Sequence, residues 1–226
     1  GVVYCALGWA CWKTYLGRPE TDEVRSMAMN RLGNGLLVAK HPDALSVKET
    51  ELSMQRRLGA SEADMLVVQS NLANTYGELG RFEDALPVHR DVFSRRLKLQ
   101  GEHHPRTLAA ANNYATSLLD LQCFTEAKSL LRKTIPVARR VLTDDDEITL
   151  RMRLNYAVAL HDDPRATLDD FRETVTTLED ATRIARRVLG PSHPFVEMIE
   201  RRLRNARATE LTVSSLADEL EAMTPT

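Results

Sequence analysis

The chain has 226 residues, 43% of them hydrophobic and 27% charged, a composition that fits a folded globular protein and excludes a disordered one. A formal net charge of −2 gives no global attraction to nucleic acid or to an anionic membrane. Three cysteines, Cys5, Cys11 and Cys123, are too few for a disulfide framework at this length, so reduced thiols and a cytoplasmic setting are expected.

The chain begins at Gly1 rather than Met, as expected of a piece of a longer protein. Its first twelve residues, GVVYCALGWACW, are apolar and uncharged. They are too few to span a bilayer, which takes about 20 residues. Lys13 follows the run instead of preceding it, unlike the charge order of a signal peptide. A buried helix is predicted here, with Trp9, Trp12 and Tyr15 in the core; the alternative is an exposed patch for dimerisation or for a neighbouring repeat. YLGRPETDEV at 15–24 echoes ELGRFEDAL at 78–86 and suggests a degenerate unit. HPDAL at 41–45 fits either a junction like 104–108 or the start of a second helix like Asp84–Leu86, and the spacing to RRLG at 56–59 favours the second helix.

From residue 60 the sequence repeats. Asn71, Asn113 and Asn155 lie 42 residues apart, as do Leu66, Leu108 and Leu150, and Ala73, Ala115 and Ala157; Leu79/Leu121 and Thr107/Thr149 keep the same register. Within a unit, Leu66, Gln69, Leu72, Ala73, Tyr76 and Leu79 fall on one helix face. Gly80 is the expected left-handed stop. Ala85, Val88, Val92 and Phe93 then line one side of a second helix. Pro87 lies near the start of that helix. Pro136, deep inside EAKSLLRKTIPVARRVL, should kink its helix or shift its hydrogen bonds, at a local cost of up to about 3 kcal/mol. No alternating β-rich run appears. A helix pair with one apolar face must stack on its neighbours, so the expected fold is an all-α, right-handed superhelical solenoid of antiparallel helix pairs.

Four junctions align: GASEADML (59–66), GEHHPRTL (101–108), TDDDEITL (143–150) and GPSHPFVE (190–197). His103–His104 is replaced by Ser61–Glu62 and Asp145–Asp146 in other units, so the histidines read as helix-start punctuation rather than metal ligands. The acids 144–147 suit a helix start, and Asp162–Asp163 before Pro164 suit a turn. No phosphate loop, nucleophile motif or metal-binding spacing is present, so no catalytic residue, metal or cofactor is predicted. Residues 161–190 carry extra length and predict a longer second helix. Residues 193–210 predict a final first-type helix, and SSLADELEAM a short capping helix with Ser214 or Ser215 as N-cap.

The stretch NLANTYGELGRFEDALPVHRDVFSRRLKLQGEHHPRTL, 71–108, resembles the tetratricopeptide repeats of kinesin light chains. The resemblance rests on Asn71-Leu72-Ala73, the run from Gly80 to Ala85, Pro87, and Gly101 to Leu108. The next unit keeps Asn113-Tyr114-Ala115, Phe124 and Glu126-Ala127 but has Gln122-Cys123 where Gly-Arg would stand; the third keeps Asn155-Tyr156-Ala157. The organisation expected is degenerate repeats over 1–59, three such units over 60–190, and a final partial repeat with a capping helix over 191–226.

The resemblance implies a non-catalytic protein-interaction scaffold whose concave groove binds short, extended segments of a cargo or adaptor protein. The marker asparagines Asn71, Asn113 and Asn155 would face that groove, with Asn74 and Thr116 a turn away and Arg151 placed to meet an acidic side chain. The competing reading is that these asparagines only fix packing between units. Ser70, Asn112 and Leu154, just before the markers, are not basic, which argues against a clamp for a chaperone's C-terminal carboxylate. No heptad run is present to pair with a motor subunit. A different alternative comes from the arginine pairs 56–57, 95–96, 139–140 and 186–187, extended by Arg201, Arg202, Arg204 and Arg207, which could form a ridge for the phosphates of nucleic acid or lipid. Cations also belong at helix C-termini for the dipole alone, and few aromatics weigh against nucleic acid. A third alternative is a sensor repeat region within a larger signalling ATPase or enzyme.

Overall fold

The computed structural model describes residues 23–223, together with Trp9, Ala10, Lys13, Gly17 and Pro19. Among the described residues there are nine α-helices and no strand: α1 (Glu23–Val38), α2 (Ala44–Arg57), α3 (Glu62–Glu78), α4 (Phe82–Gln100), α5 (Pro105–Asp120), α6 (Phe124–Val141), α7 (Glu147–His161), α8 (Leu168–Leu189) and α9 (Pro194–Met223). They fall into two compact units, Gly1–Leu99 and Gln100–Thr226.

The junction residues explain where first-type helices begin. A helix start leaves backbone N–H groups unpaired, and a side chain just before it can accept from them. Ser61 Oγ accepts from the Asp64 N–H at 3.2 Å, His104 Nδ1 from Arg106 at 3.1 Å, Asp146 Oδ1 from Ile148 at 2.8 Å and His193 Nδ1 from Phe195 at 3.2 Å. His104 is therefore a cap, with Pro105 at the first helical position where its missing N–H costs nothing. HPDAL belongs to a second-type helix, since α2 starts at Ala44 and runs to RRLG.

Second-type helices end in left-handed residues: Gly59 (φ 67°), Gly101 (φ 79°) and Gly190 (φ 84°), with Thr143 (φ 79°) at the corresponding place. Gln122 (φ 57°) likewise takes the position of Gly80 (φ 74°), so the departure from Gly-Arg keeps the turn. A β-branched residue is strained there. Thr143→Gly is expected to raise the unfolding free energy by about 1 kcal/mol, read as a higher urea midpoint.

Pro87 is the sixth residue of α4, and α6 runs unbroken through Pro136. Both prolines are exposed, so the carbonyls they leave unpaired one turn back face water. α8, at 22 residues, is longer than α4 (19) and α6 (18), as the extra sequence length predicts. The expected separate capping helix does not form. α9 is continuous over 30 residues, because no glycine or proline interrupts it before Pro225 and serine costs a helix interior little.

In the first unit, Leu32 and Leu36 of α1 and Ala44 of α2 form one buried cluster, and Ala28, Met29 and Met54 are buried as well. Between these helices lies a buried ion pair. Lys48 and Glu51 are 1% and 2% exposed and 3.6 Å apart; Lys48 Nζ donates to the Asn30 carbonyl at 3.1 Å, and Asn30 Nδ2 donates to Glu51 Oε1 at 3.1 Å. Burial pushes the lysine down and the glutamate up, and each opposes the shift of the other. Gly33 makes room for the lysine stem: a Cβ there would lie 2.7 Å from Lys48 Cε. Gly33→Ala is expected to cost about 1–3 kcal/mol by overpacking, measured by denaturant unfolding. Trp9 is 59% exposed, which overturns its expected place in the core; it borders a cleft of about 500 Å³ walled by Met29, Leu32, Leu36 and Val47. Trp12, Tyr15, Cys5 and Cys11 lie outside the described residues, and Cys123 is a free thiol.

In the second unit, Leu150, Leu154 and Ala157 of α7, Val175, Leu178, Ala181, Ile184 and Ala185 of α8, and Phe195, Val196, Ile199, Leu203 and Ala206 of α9 form one core. α5 and α6 are joined to it through α7.

Candidate peptide-binding groove

Within the second unit the first-type helices α5, α7 and α9 are tied side by side. Asn155 Nδ2 on α7 donates to Asn112 Oδ1 at 3.1 Å and to Thr116 Oγ1 at 3.0 Å, both on α5. Thr116 Oγ1 in turn donates to the Asn112 carbonyl at 3.1 Å. Both amide hydrogens of Asn155 are thus used in holding two repeats together. At the α7–α9 seam, His161 Nε2 lies 3.2 Å from Thr209 Oγ1, while its Nδ1 is 2.7 Å from Asp162 Oδ1. Arg202 Nη1 donates to Asp162 Oδ2 at 3.3 Å.

Arg151 is exposed on α7, donates to Glu147 Oε1 at 2.9 and 2.7 Å, and stacks its guanidinium 5.2 Å from the Phe195 ring centroid. Thr116 is exposed, and Asn113 and Asn155 are half-buried. In the first unit, Asn71 is half-buried on α3, and Asn74 Oδ1 is 3.0 Å from His89 Nε2 on α4. His89 is 4% exposed, and burial pushes its pKa down to about 4, so the imidazole is neutral at physiological pH.

Arg202 and His161 were not singled out as seam residues by sequence reading. A signal existed: RRVL at 186–189 follows RRVL at 139–142 by 47 residues, and the same offset carries Asn155 to Arg202. The residue that reaches back to the preceding first-type helix is an asparagine in one repeat and an arginine in the next.

In three of the arginine pairs one member meets a carboxylate. Arg95 meets Glu62 at 3.0 Å, Arg139 meets Asp144 at 2.5 Å, and Arg186 and Arg207 meet Glu200 and Glu179 at 2.6 Å each. Arg96 is buried and reaches the Ala63 carbonyl. The acids at 144–147 are used locally: Asp144 by Arg139, Asp145 by Thr143, Asp146 as a cap and Glu147 by Arg151. Asp163, 4% exposed, takes Lys128 Nζ at 2.9 Å, the Arg165 N–H at 3.0 Å and Arg165 Nε at 3.2 Å. Those donors hold its carboxyl well below the usual carboxylate range and fasten the α7–α8 loop to α6. Among the described residues, no group of three His, Cys, Asp or Glu is arranged to hold a metal ion, and no helix is long and apolar enough to cross a membrane.

These features define a class. Residues 64–121 and 107–146 match tetratricopeptide-repeat family models, and the chain carries tetratricopeptide repeats in an all-α solenoid fold, one that serves generally as a protein–protein interaction scaffold. In fold the chain is similar to solved repeats of kinesin-light-chain type. The structure aligns with nearly identical TPR-like repeats from a Podospora anserina protein assigned as a kinesin light chain, with TM-score 0.67 and 20% identity, covering 88% of this chain and 94% of that one. It aligns with BtubC (BKLC) of P. vanneervenii with TM-score 0.69 and 15% identity, covering 100% and 94%. By sequence, the chain is 20% identical over 156 residues to a clustered mitochondria protein homolog of Candida albicans, and 22% identical over 170 residues to that of Ajellomyces capsulatus. These matches take in 69% and 74% of this chain but span only 11% and 13% of the two relatives.

Proposed function

We propose that the chain is a non-catalytic scaffold that takes a short, extended and acidic peptide segment along the surface made by α5, α7 and α9, in the cytoplasm. The observation that carries this reading is the side-by-side tie of these helices, which leaves Thr116 and Arg151 exposed on neighbouring helices. Thr116, whose hydroxyl hydrogen is spent on the Asn112 carbonyl, keeps an acceptor lone pair for a peptide N–H, and Asn113 lies one turn from it. Arg151, stacked on Phe195 and already oriented, offers a guanidinium to a carboxylate. Asn71 and Asn74 serve the same purpose on α3 of the first unit. Asn155 acts mainly as a strut, because its donors are engaged. The kinesin-light-chain likeness supports cargo or adaptor segments as the ligand class, and the small share of the clustered mitochondria relatives supports a repeat module working within a larger protein. The peptide reading is favoured over the phosphate ridge because five of the ridge arginines, Arg95, Arg139, Arg186, Arg202 and Arg207, already meet carboxylates.

The test is fluorescence anisotropy with tryptophan-acidic, leucine-rich acidic and chaperone-tail peptides. One acidic class should bind, and Arg151→Glu should weaken it by about tenfold or more, equivalent to about 1.4 kcal/mol, with helicity unchanged by circular dichroism. Binding to none of the peptides, or affinity indifferent to Arg151→Glu, would sink the reading.

A further inference from the structure

We infer that α9 carries a self-complementary face through which two copies of this chain pair antiparallel. One side of α9 is spent on the core, through Phe195, Val196, Ile199, Leu203 and Ala206. On another side, Arg204, Ala208, Leu211, Ser215 and Asp218 follow one another at intervals of three or four residues, so they form one stripe along the helix. All five are exposed, and Leu211, at 72%, is the most exposed large hydrophobic among the described residues.

The two charged ends of the stripe are equidistant from Leu211 and opposite in sign. Arg204 stands seven residues before it and Asp218 seven residues after it, with small residues between: Ala208 on one side, Ser214 and Ser215 on the other. Neither Arg204 nor Asp218 has an ion-pair partner among the described residues, although most arginines nearby do. The charge of α9 is divided in the same way: Arg201, Arg202, Arg204 and Arg207 fill its middle, whereas after Arg207 the sequence has only acids, Glu210, Asp218, Glu219 and Glu221.

Two such helices laid antiparallel across a two-fold axis at Leu211 bring Arg204 of each opposite Asp218 of the other, so one pairing is made twice. Leu211 meets Leu211 at the axis, and the small residues on either side permit close approach of the helices. A parallel arrangement instead opposes like charges along the whole stripe, which selects the antiparallel one. The occupant of this face is a second copy of the chain.

Sedimentation analysis of the 226-residue chain over a wide concentration range tests this. A monomer–dimer equilibrium is expected. Arg204→Asp alone and Asp218→Arg alone should each weaken it by about tenfold or more, and the double charge swap Arg204→Asp/Asp218→Arg should restore it. Leu211→Arg should abolish it. All three positions are exposed, so circular dichroism and denaturant midpoints should stay at the unsubstituted values and exclude misfolding as the cause. A chain that is monomeric at every concentration, a dimer insensitive to either single swap, or a double swap without recovery would each overturn the inference.

Discussion

Replacing Asp163 with alanine is expected to lower the unfolding free energy by about 3 kcal/mol, the cost of leaving a buried ion pair without its partner. Asp163 is 4% exposed and receives donors from two places at once: Lys128 on α6, and the backbone and side chain of Arg165 beyond Pro164. Removing the carboxylate leaves the ammonium of Lys128, whose side chain is 19% exposed, without this acceptor, and frees the loop that sets where α8 begins. Asp163→Asn keeps an acceptor of similar shape and should cost less. The folded-state pKa is depressed, so the unfolded chain takes up this proton first as pH falls. The stabilisation is complete above the unfolded carboxyl value of about 3.9 and is lost below it. Urea unfolding between pH 7 and pH 3 checks both statements. An Asp163→Ala variant as stable as the parent would mean that Lys128 finds water at no cost and that the loop needs no anchor here.

The second large effect lies at milder acidity. His89 is buried beside Asn74 with a pKa of about 4, against about 6.5 for an exposed histidine. Between these values the unfolded chain binds a proton that the folded chain refuses, so stability falls as pH falls. It is complete above about pH 6.5, lower by about 1 kcal/mol at pH 5.5, and lower by about 3 kcal/mol near pH 4. His89→Leu should remove this slope while leaving Asn74 Oδ1 to water, since Asn74 is exposed. Unfolding midpoints for both proteins at pH 7.5, 5.5 and 4.5 separate the outcomes; parallel pH profiles would show that another group titrates.

Much of this fold was legible in sequence because it depends on features that recur. The columns of Leu66, Ala73 and Asn71 at 42-residue intervals mark first-type helices, and the variable residues of the junction, Ser61, His104, Asp146 and His193, share one physical task that several side chains can perform. The legibility ended where an interaction occurs only once. In LSVKETEL, Lys48 reads as an ordinary polar-face residue, and only the packing of α1 on α2 shows that Gly33 opens a slot for it. The link from His89 to Asn74 joins residues 15 apart with no counterpart in the next unit. For the proposed groove, the sequence pattern does not distinguish a residue that reads a ligand from one that reads its neighbour. Asn155 shows why: the same amide can bond either, and three-dimensional spacing to Asn112 and Thr116 decides. The continuous α9 followed from the lack of a breaker, a negative signal that a plausible N-cap at Ser214 obscured.

The two seams of the second unit are built from different materials. Between α5 and α7 the fastening is short and uncharged, an asparagine amide on a threonine and another asparagine. Between α7 and α9 it includes the guanidinium of Arg202 on a carboxylate with 34% side-chain exposure. Dissolved ions screen the second and leave the first almost unaffected. The polar fastening between α7 and α9 therefore fades as ionic strength rises, that between α5 and α7 does not, and the apolar core shared by α7 and α9 holds that joint in salt.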